Sequence, residues 1–159
     1  AFSPIKKNPL DMMIQKTTEL GIQKFIPIIS ERTIVKEINS ERLKKIIIEA
    51  SEQSNRISVP EIKNLESLKT FLSTFPNDGS LIFCDINSKK SDLKNILLKK
   101  KKGPICILIG PEGDFSEKER QLIIEKKEIF SLSLASNILR AETAAIAAVT
   151  IVNYHLNFN

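Results

Sequence analysis

Short apolar runs rich in β-branched residues alternate along this chain with stretches in which apolar residues recur every three or four positions. The first pattern is typical of buried strands, and the second is typical of helices that place one face in a core. Their alternation predicts an α/β layer fold. Since no internal repeat, low-complexity tract or linker interrupts the pattern, we expect residues 1–159 to form one domain.

Capping residues mark the expected helix boundaries. Asn8 is expected to cap the first helix, with Pro9 at its first position, and Gly21 is expected to end that helix in a left-handed conformation. Ser40 is expected to cap a second helix that continues to about Asn55. The other helices are predicted within residues 60–79, over residues 91–100, after a capping box formed by Ser116 and Glu119, and from residue 141 to about residue 156.

Strands are predicted at residues 24–30, 81–86, 104–109 and 129–134, where apolar residues dominate. Two of these runs contain the cysteines, Cys84 and Cys106, which we interpret as buried free thiols. A single histidine and the lack of a closely spaced cysteine pair argue against a metal site.

Composition adds little beyond the class of partner. With 42% hydrophobic residues the chain has enough apolar side chains for a full core. The formal net charge of +5 mildly favours an anionic partner such as nucleic acid. Four lysines at residues 99–102 are interpreted as a solvated helix end or as an RNA-backbone contact. No apolar run is long enough to predict a membrane span, and we expect a cytoplasmic protein.

A loop with two glycines lies between a predicted strand and a predicted helix. Gly110 and Gly113 flank Pro111 and Glu112, which indicates a tight turn at the edge of the sheet where α/β proteins bind ligands. Glu112 and Asp114 favour a cationic ligand over a phosphate. Because neither phosphate-binding pattern is present, an NAD- or ATP-dependent enzyme is disfavoured. A plain turn between a strand and a helix is the alternative interpretation.

A small polar loop at residues 134–139 precedes an alanine-rich helix. Arg140, at the junction, is a candidate for stabilising negative charge on a substrate, because guanidinium is always charged and offers forked donors. Glu142 follows near the helix N-terminus, and a surface ion pair with Arg140 is the alternative interpretation. The helix itself is apolar nearly all round, so we expect it in the core or at a subunit interface.

Two further sets of polar residues are weaker signals. Glu49 and Gln53 lie four positions apart on one predicted helical face, and Arg56 follows them. Glu31 and Arg32 come directly after the first predicted strand. Taken alone, each set is more typical of a hydrogen-bonded surface than of a site.

Taken together, these segments resemble the small-subunit ribosomal RNA methyltransferase E family, which belongs to the SPOUT class of enzymes. The resemblance covers essentially the whole chain and rests on five short motifs in a fixed order. In chain order the motifs are Glu19-Leu20-Gly21, Glu31-Arg32, Glu49-Ala50 with Gln53, Arg56 and Pro60, Ile109-Gly110-Pro111-Glu112-Gly113 with Phe115 and Glu119, and Ile138-Leu139-Arg140 with Glu142-Thr143-Ala144.

The resemblance implies a mostly parallel sheet flanked by helices, with a deep trefoil knot in its C-terminal part, an exception to the general absence of knots. It implies a homodimer built partly on the last helix, and an S-adenosylmethionine cofactor held in the knot by three loops. A PUA-like RNA-binding barrel usually precedes this domain in the family, and we expect it to be absent from residues 1–159. The residues expected to bind the cofactor are Gly110, Pro111, Glu112, Gly113, Leu134, Ile138 and Leu139.

The activity that the resemblance implies is methylation of N3 of a uridine in small-subunit (16S) ribosomal RNA. On this basis Arg140 and Glu142 are the candidate catalytic residues. The candidate RNA contacts are Arg32, Gln53 and Arg56.

Three positions depart from the residues usual in that family. Ala135 replaces a glycine, Asn137 replaces an arginine, and Asp114 stands where glycine is common. A methyl group at Ala135 matters if the loop needs a left-handed residue there. A catalytically impaired RNA-binding or ribosome-assembly module of the same fold is therefore the alternative function.

Overall fold

The computed structural model describes residues 1–88, 103–126 and 128–157 of the chain. The helix predicted at residues 91–100 and the four lysines at residues 99–102 lie outside the described residues. The helices of the described part are α1 (Lys7–Glu19), α2 (Ser40–Gln53), α3 (Leu68–Thr74), α4 (Glu117–Ile124) and α5 (Ala141–Asn157). Its strands are β1 (Lys24–Phe25), β2 (Ile28–Ile29), β3 (Glu61–Ile62), β4 (Glu66–Ser67), β5 (Ser80–Cys84), β6 (Ile105–Leu108) and β7 (Ile129–Leu132).

The strand pairs of the described residues all run parallel. β5 lies between β6 and β7, while β1 pairs with β3 and β2 pairs with β4. Phe2 forms parallel bridges to both Pro27 and Ile109, and Ser3 N–H donates to the Ile109 carbonyl at 3.1 Å. The first residues of the chain therefore connect the segment between β1 and β2 to the end of β6. This arrangement confirms the predicted α/β class with parallel strands.

Helices cover both faces of the sheet around β5. Leu81 and Phe83 belong to an apolar cluster that includes residues of α3 and α4, whereas Ile82 packs with Val152 of α5. Successive strand residues point to opposite faces, so an uninterrupted apolar strand is expected where both faces are covered. On the α5 side, α1, α2 and α5 share one further apolar cluster.

The C-terminal ends of α1 and α2 are held together by Arg56. Its Nη1 donates to the carbonyls of Thr18 and Ile22, at 2.6 and 2.7 Å. Arg56 is placed there by Asn55, which ends α2 in a left-handed conformation with φ of 54°. Carbonyls at a helix C-terminus lack partners within the helix, so a guanidinium is a suitable donor for them.

Two of the capping predictions are wrong. α1 begins at Lys7, and its N-cap Lys6 makes no side-chain capping bond, so Asn8 lies inside the first turn. α2 is capped by Asn39, whose side chain accepts a hydrogen bond from Arg42 N–H at 2.9 Å, and Ser40 is already helical. Neighbouring polar residues compete as caps, and the backbone conformation decides between them.

The strand predictions were correct in position but too long. The first one is divided into β1 and β2 at Pro27, which has no N–H with which to pair. The two-residue strands β3 and β4 lie in the region predicted only as a short helix, because so few residues carry no periodic signal. The cysteines are free, as predicted, and both are partly exposed rather than fully buried.

The end of α1 generates a prediction about Gly21. Its φ is 96°, and the N–H groups of Gly21 and Ile22 donate to the carbonyls of Thr18 and Thr17, which is the predicted left-handed helix stop. A methyl group at Gly21 would have room but would strain this backbone. We expect Gly21→Ala to lower the free energy of unfolding by about 1–2 kcal/mol in denaturant titration.

Gly113→Ala is the matched control for that measurement. Gly113 does not have a positive φ, and an added Cβ would lie 3.6 Å from Arg32, an ordinary contact. Equal losses in the two variants would contradict the conformational explanation.

Candidate functional site

A cleft of about 360 Å³ opens where β5 and β6 end and α5 begins. Parallel strands bring their carboxyl ends to one edge of a sheet, which is where α/β proteins bind ligands. Two apolar side chains on its walls, Ile86 and Ile138, are 53% and 81% exposed, respectively. The predicted site residues that line it are Gly110, Pro111, Glu112, Ile138, Leu139, Arg140 and Glu142.

A smaller hollow of about 80 Å³ adjoins the cleft and shares the walls formed by Cys84, Ile138 and Leu139. Leu134 lines the hollow rather than the cleft, together with Ala135 and other residues of the loop after β7. The loops that follow β5, β6 and β7 therefore meet at one place. Of the residues predicted to bind a cofactor, Gly113 lines neither cavity.

The loop after β6 is a hydrogen-bonded turn closed by Asp114. Asp114 N–H donates to the Pro111 carbonyl at 2.9 Å, and the residue has a φ of 58°. Its Oδ1 accepts a hydrogen bond from Phe115 N–H at 2.8 Å, which helps an aspartate adopt this conformation. The left-handed residue of the loop is thus Asp114, where the related family commonly has glycine.

Gly110 is needed for a different reason. A Cβ at this position would lie 3.0 Å from the ring of Phe115, which is buried in the core. Ala135, in contrast, does not have a positive φ. The alanine at 135 therefore causes no backbone strain in the loop after β7.

The segment after β2 is hydrogen-bonded to the loop after β6 and to the start of α4. Arg32 Nη1 donates to the Gly113 carbonyl at 2.9 Å, and Glu31 N–H donates to Glu119 Oε1 at 2.8 Å. Glu119 also completes the predicted capping box with Ser116 at the start of α4. Glu31 and Arg32 are exposed. Their contacts explain why this dipeptide, which is far from the glycine loop in the sequence, belongs to the same set of motifs.

A buried ion pair fixes the carboxyl end of β5. Asp85 is 1% exposed, and its Oδ2 accepts hydrogen bonds from Arg120 Nη2 at 2.8 Å and Nε at 3.2 Å. Its Oδ1 accepts a further bond from Asn87 N–H at 2.9 Å. The hydrogen bond to Asp85 raises the pKa of the Arg120 guanidinium above its usual range. Through this pair α4 is tied to the strand end that lines the smaller hollow.

The cleft is acidic although the chain as a whole is basic. Glu112, Asp114 and Glu142 all line it, and Arg140 is the cation on its wall among the described residues. Arg140 is exposed, and its side chain has no hydrogen-bond or ion-pair partner in the described residues. Glu142 is only 7% exposed and, among the described residues, likewise makes no hydrogen bond or ion pair. The ion pair between Arg140 and Glu142 that we weighed as an alternative is therefore not formed.

Cys84 lines both cavities, and its thiol is surrounded by protein atoms although the residue as a whole is partly exposed. Burial raises the pKa of its thiol to about 12, so the reactive thiolate is not populated near neutral pH. Within the described residues no group of three or more histidine, cysteine or acidic side chains could hold a metal ion. None of the helices in that part of the chain is long and apolar enough to cross a membrane.

The candidate RNA contacts are spread over the surface. Arg32 lies beside the glycine loop, and Gln53 is exposed at the end of α2, away from the cleft. Arg56 is engaged by the helix-end carbonyls described above. Their role in RNA binding stays a prediction.

Sequence reasoning missed Asp85 and Arg120. A carboxylate directly after an apolar strand is a recognisable signal at the ligand-binding edge of a sheet, and Asp85 carries it. Arg120 carries no such signal, because its partner lies 35 positions away in the chain.

The chain belongs to the RNA methyltransferase domain family, which matches residues 1–153. It is 37% identical over 150 residues to the ribosomal RNA small subunit methyltransferase E of Rickettsia conorii, covering 94% of this chain and 61% of that protein. The protein of the same name from Aquifex aeolicus is 35% identical over 147 residues, covering 90% of this chain and 62% of that one. These matches confirm the predicted resemblance.

The fold is similar to a crystal structure of the ribosomal RNA small subunit methyltransferase E of Neisseria gonorrhoeae bound to S-adenosyl methionine. The TM-score is 0.88 at 31% identity, with 99% of this chain and 66% of that chain covered. This chain spans about three fifths of the length of the curated relatives it matches.

The buried ion pair predicts a large effect of truncating Arg120. In Arg120→Ala the Asp85 carboxylate would remain buried without its cation, which costs about 3 kcal/mol of unfolding free energy, the low end of the range because Arg120 is partly exposed. Denaturant titration measures this loss. Lys118→Ala, on the exposed side of the same helix, is the control and should change stability by less than about 0.5 kcal/mol. A similar small change for Arg120→Ala would show that the pair does not stabilise the fold.

Proposed function

We propose that the protein transfers a methyl group from S-adenosylmethionine to N3 of a uridine in small-subunit ribosomal RNA. The observation that carries the proposal is the acidic cleft at the strand ends, with one unpartnered arginine on its wall. Membership of the RNA methyltransferase domain family supports the reaction class. The relative from Neisseria gonorrhoeae, which binds S-adenosyl methionine, supports the cofactor. The base and the atom rest on the resemblance described above.

The residues of the cleft fit this cofactor. A cleft of about 360 Å³ is within the usual range of roughly 300–1,000 Å³ for small-molecule sites. Its apolar walls, such as Ile109 and Leu139, suit an adenosine, and the unpartnered Glu142 suits a cationic group. When bound, the cofactor would supply an electrophilic methyl group attached to a sulfonium. After methyl transfer the sulfur is left as a neutral thioether. Gly110, Pro111, Glu112, Ile138 and Leu139 are the cleft residues that would hold it, with Leu134 in the adjoining hollow.

Arg140 is the proposed catalytic residue. Uracil N3 attacks only after losing its imide proton, and negative charge then spreads onto the neighbouring carbonyl oxygens. The Arg140 guanidinium is exposed at the cleft and unpartnered among the described residues, so it is free to stabilise that charge. Glu112, exposed on the same wall, is our candidate for accepting the proton. Glu142 is the second candidate catalytic residue, and among the described residues it forms no ion pair with Arg140.

We also propose the knot, the dimer and the cytoplasmic location that the resemblance implies. β6 and β7 lie on opposite sides of β5, so the chain crosses β5 between them, as a knot in this region requires.

The dimer would use α5, where Ile146 and Ile151 are only partly buried and Tyr154 is 62% exposed. Light scattering after size-exclusion chromatography measures the dimer directly.

The direct test is calorimetric titration with S-adenosylmethionine and S-adenosylhomocysteine, with ATP and NAD as controls. Selective binding of the first two is expected. Incubation with small-subunit ribosomal RNA, followed by mass spectrometry of the digested nucleosides, should then show N3-methyluridine. A folded protein that binds RNA but no cofactor would favour the impaired-module alternative, for which the replacement of an arginine by Asn137 is the supporting observation.

Arg140→Ala should lower the methylation rate by about 10²-fold or more, because one preorganised charge-stabilising group is lost. Arg140→Lys keeps the positive charge but lacks the forked pair of N–H donors, so its methylation rate should fall by a smaller factor. S-adenosylmethionine affinity and the melting temperature should stay near those of the unaltered protein. Near-normal turnover in Arg140→Ala would exclude this role for the residue.

A further inference from the structure

Glu142 is the most covered of the three acidic residues that line the cleft. It is 7% exposed, lies in the first turn of α5 and lines the cleft. In the part of the chain that the structure describes, its side chain has no hydrogen-bond or ion-pair partner. Among the described residues, the N-terminus of α5 is the group that partly balances its negative charge. A ligand that brings a cation to Glu142 would supply what the fold does not.

The charges around Glu142 point to a cationic group. Glu112 and Asp114 lie on the same cleft, and Asp114 already accepts the Phe115 N–H bond. Arg140, the cation on the wall, is exposed, whereas Glu142 is enclosed. An enclosed charge interacts more strongly with a ligand than an exposed one, because less water screens it. Glu142 is thus the carboxylate whose charge should affect binding most.

We infer that Glu142 makes the site selective for the methyl-loaded, sulfonium form of the cofactor over its spent thioether form. This inference rests on the proposed function. The two forms share the adenosine, the amino group and the carboxylate, and differ in the methyl group and the positive charge on sulfur. A fixed negative charge on the wall of the cleft attracts one form and not the other. Loss of the sulfonium charge during methyl transfer also removes this attraction, which favours release of the product.

The test is calorimetric measurement of cofactor affinity in Glu142→Gln, which replaces the carboxylate with a neutral group of the same shape. S-adenosylmethionine should bind about tenfold more weakly relative to S-adenosylhomocysteine than it does in the unaltered protein. Sinefungin, in which an amine-bearing carbon replaces the sulfonium, should weaken together with S-adenosylmethionine.

Two further variants control for general effects. Glu52→Gln removes one carboxylate from an exposed position on α2, outside the cleft, and should leave the affinity ratio unchanged. Glu142→Asp keeps the charge and should keep most of the selectivity.

The outcomes separate the inference from the function on which it rests. If both cofactor forms bind Glu142→Gln more weakly by the same factor, Glu142 holds a part that they share, and the inference fails while the function stands. An unchanged ratio with slower turnover would mean that Glu142 acts in proton transfer, which also overturns the inference. If the unaltered, folded protein binds neither form, the proposed function itself is wrong.

Discussion

The parallel pairing of β5 with both of its neighbours is the interaction on which the site depends. Because β5, β6 and β7 point the same way, the loops that follow them reach one edge of the sheet, and the cleft lies there. Everything else described near the cleft holds one of these loops in place. The Asp85–Arg120 pair fixes the end of β5, and Arg32 supports the loop after β6 from outside the sheet. The strands, together with the contacts that support their loops, thus hold the residues of the cleft in place, as binding sites generally require.

Much of this fold could be predicted from the sequence, but only where the signal lies in a few neighbouring residues. Gly21 ends a helix because only a residue tolerant of positive φ fits there, and the capping box of Ser116 and Glu119 needs just four consecutive residues. The choice between Asn39 and Ser40 as a cap was not predictable, since both can cap and only the backbone decides. The strands β3 and β4 were not predicted, because a strand of two residues cannot show an alternating pattern.

The site was predictable to a similar extent. The glycine loop and the residues around Arg140 stand beside strands in the sequence, and the structure brings them to one cleft. The burial of Glu142 could not be predicted, because it depends on how α5 packs against the rest of the domain. The hydrogen bonds of Arg56 to the carbonyls of Thr18 and Ile22 were not predictable either, because these partners lie more than thirty positions away in the chain.

The bridges of Phe2 to Pro27 and Ile109 constrain the order in which the domain can fold. The contact between Ser3 and Ile109 closes a loop of more than a hundred residues, and the entropy of closing that loop is lost before the contact itself adds stability. Phe2 can pair with Pro27 earlier, but its second bridge and the bond of Ser3 cannot form until β6 and Ile109 are in place. Until then Phe2, which is 4% exposed in the folded domain, lacks part of the packing that covers it, so the last step of folding also completes the core.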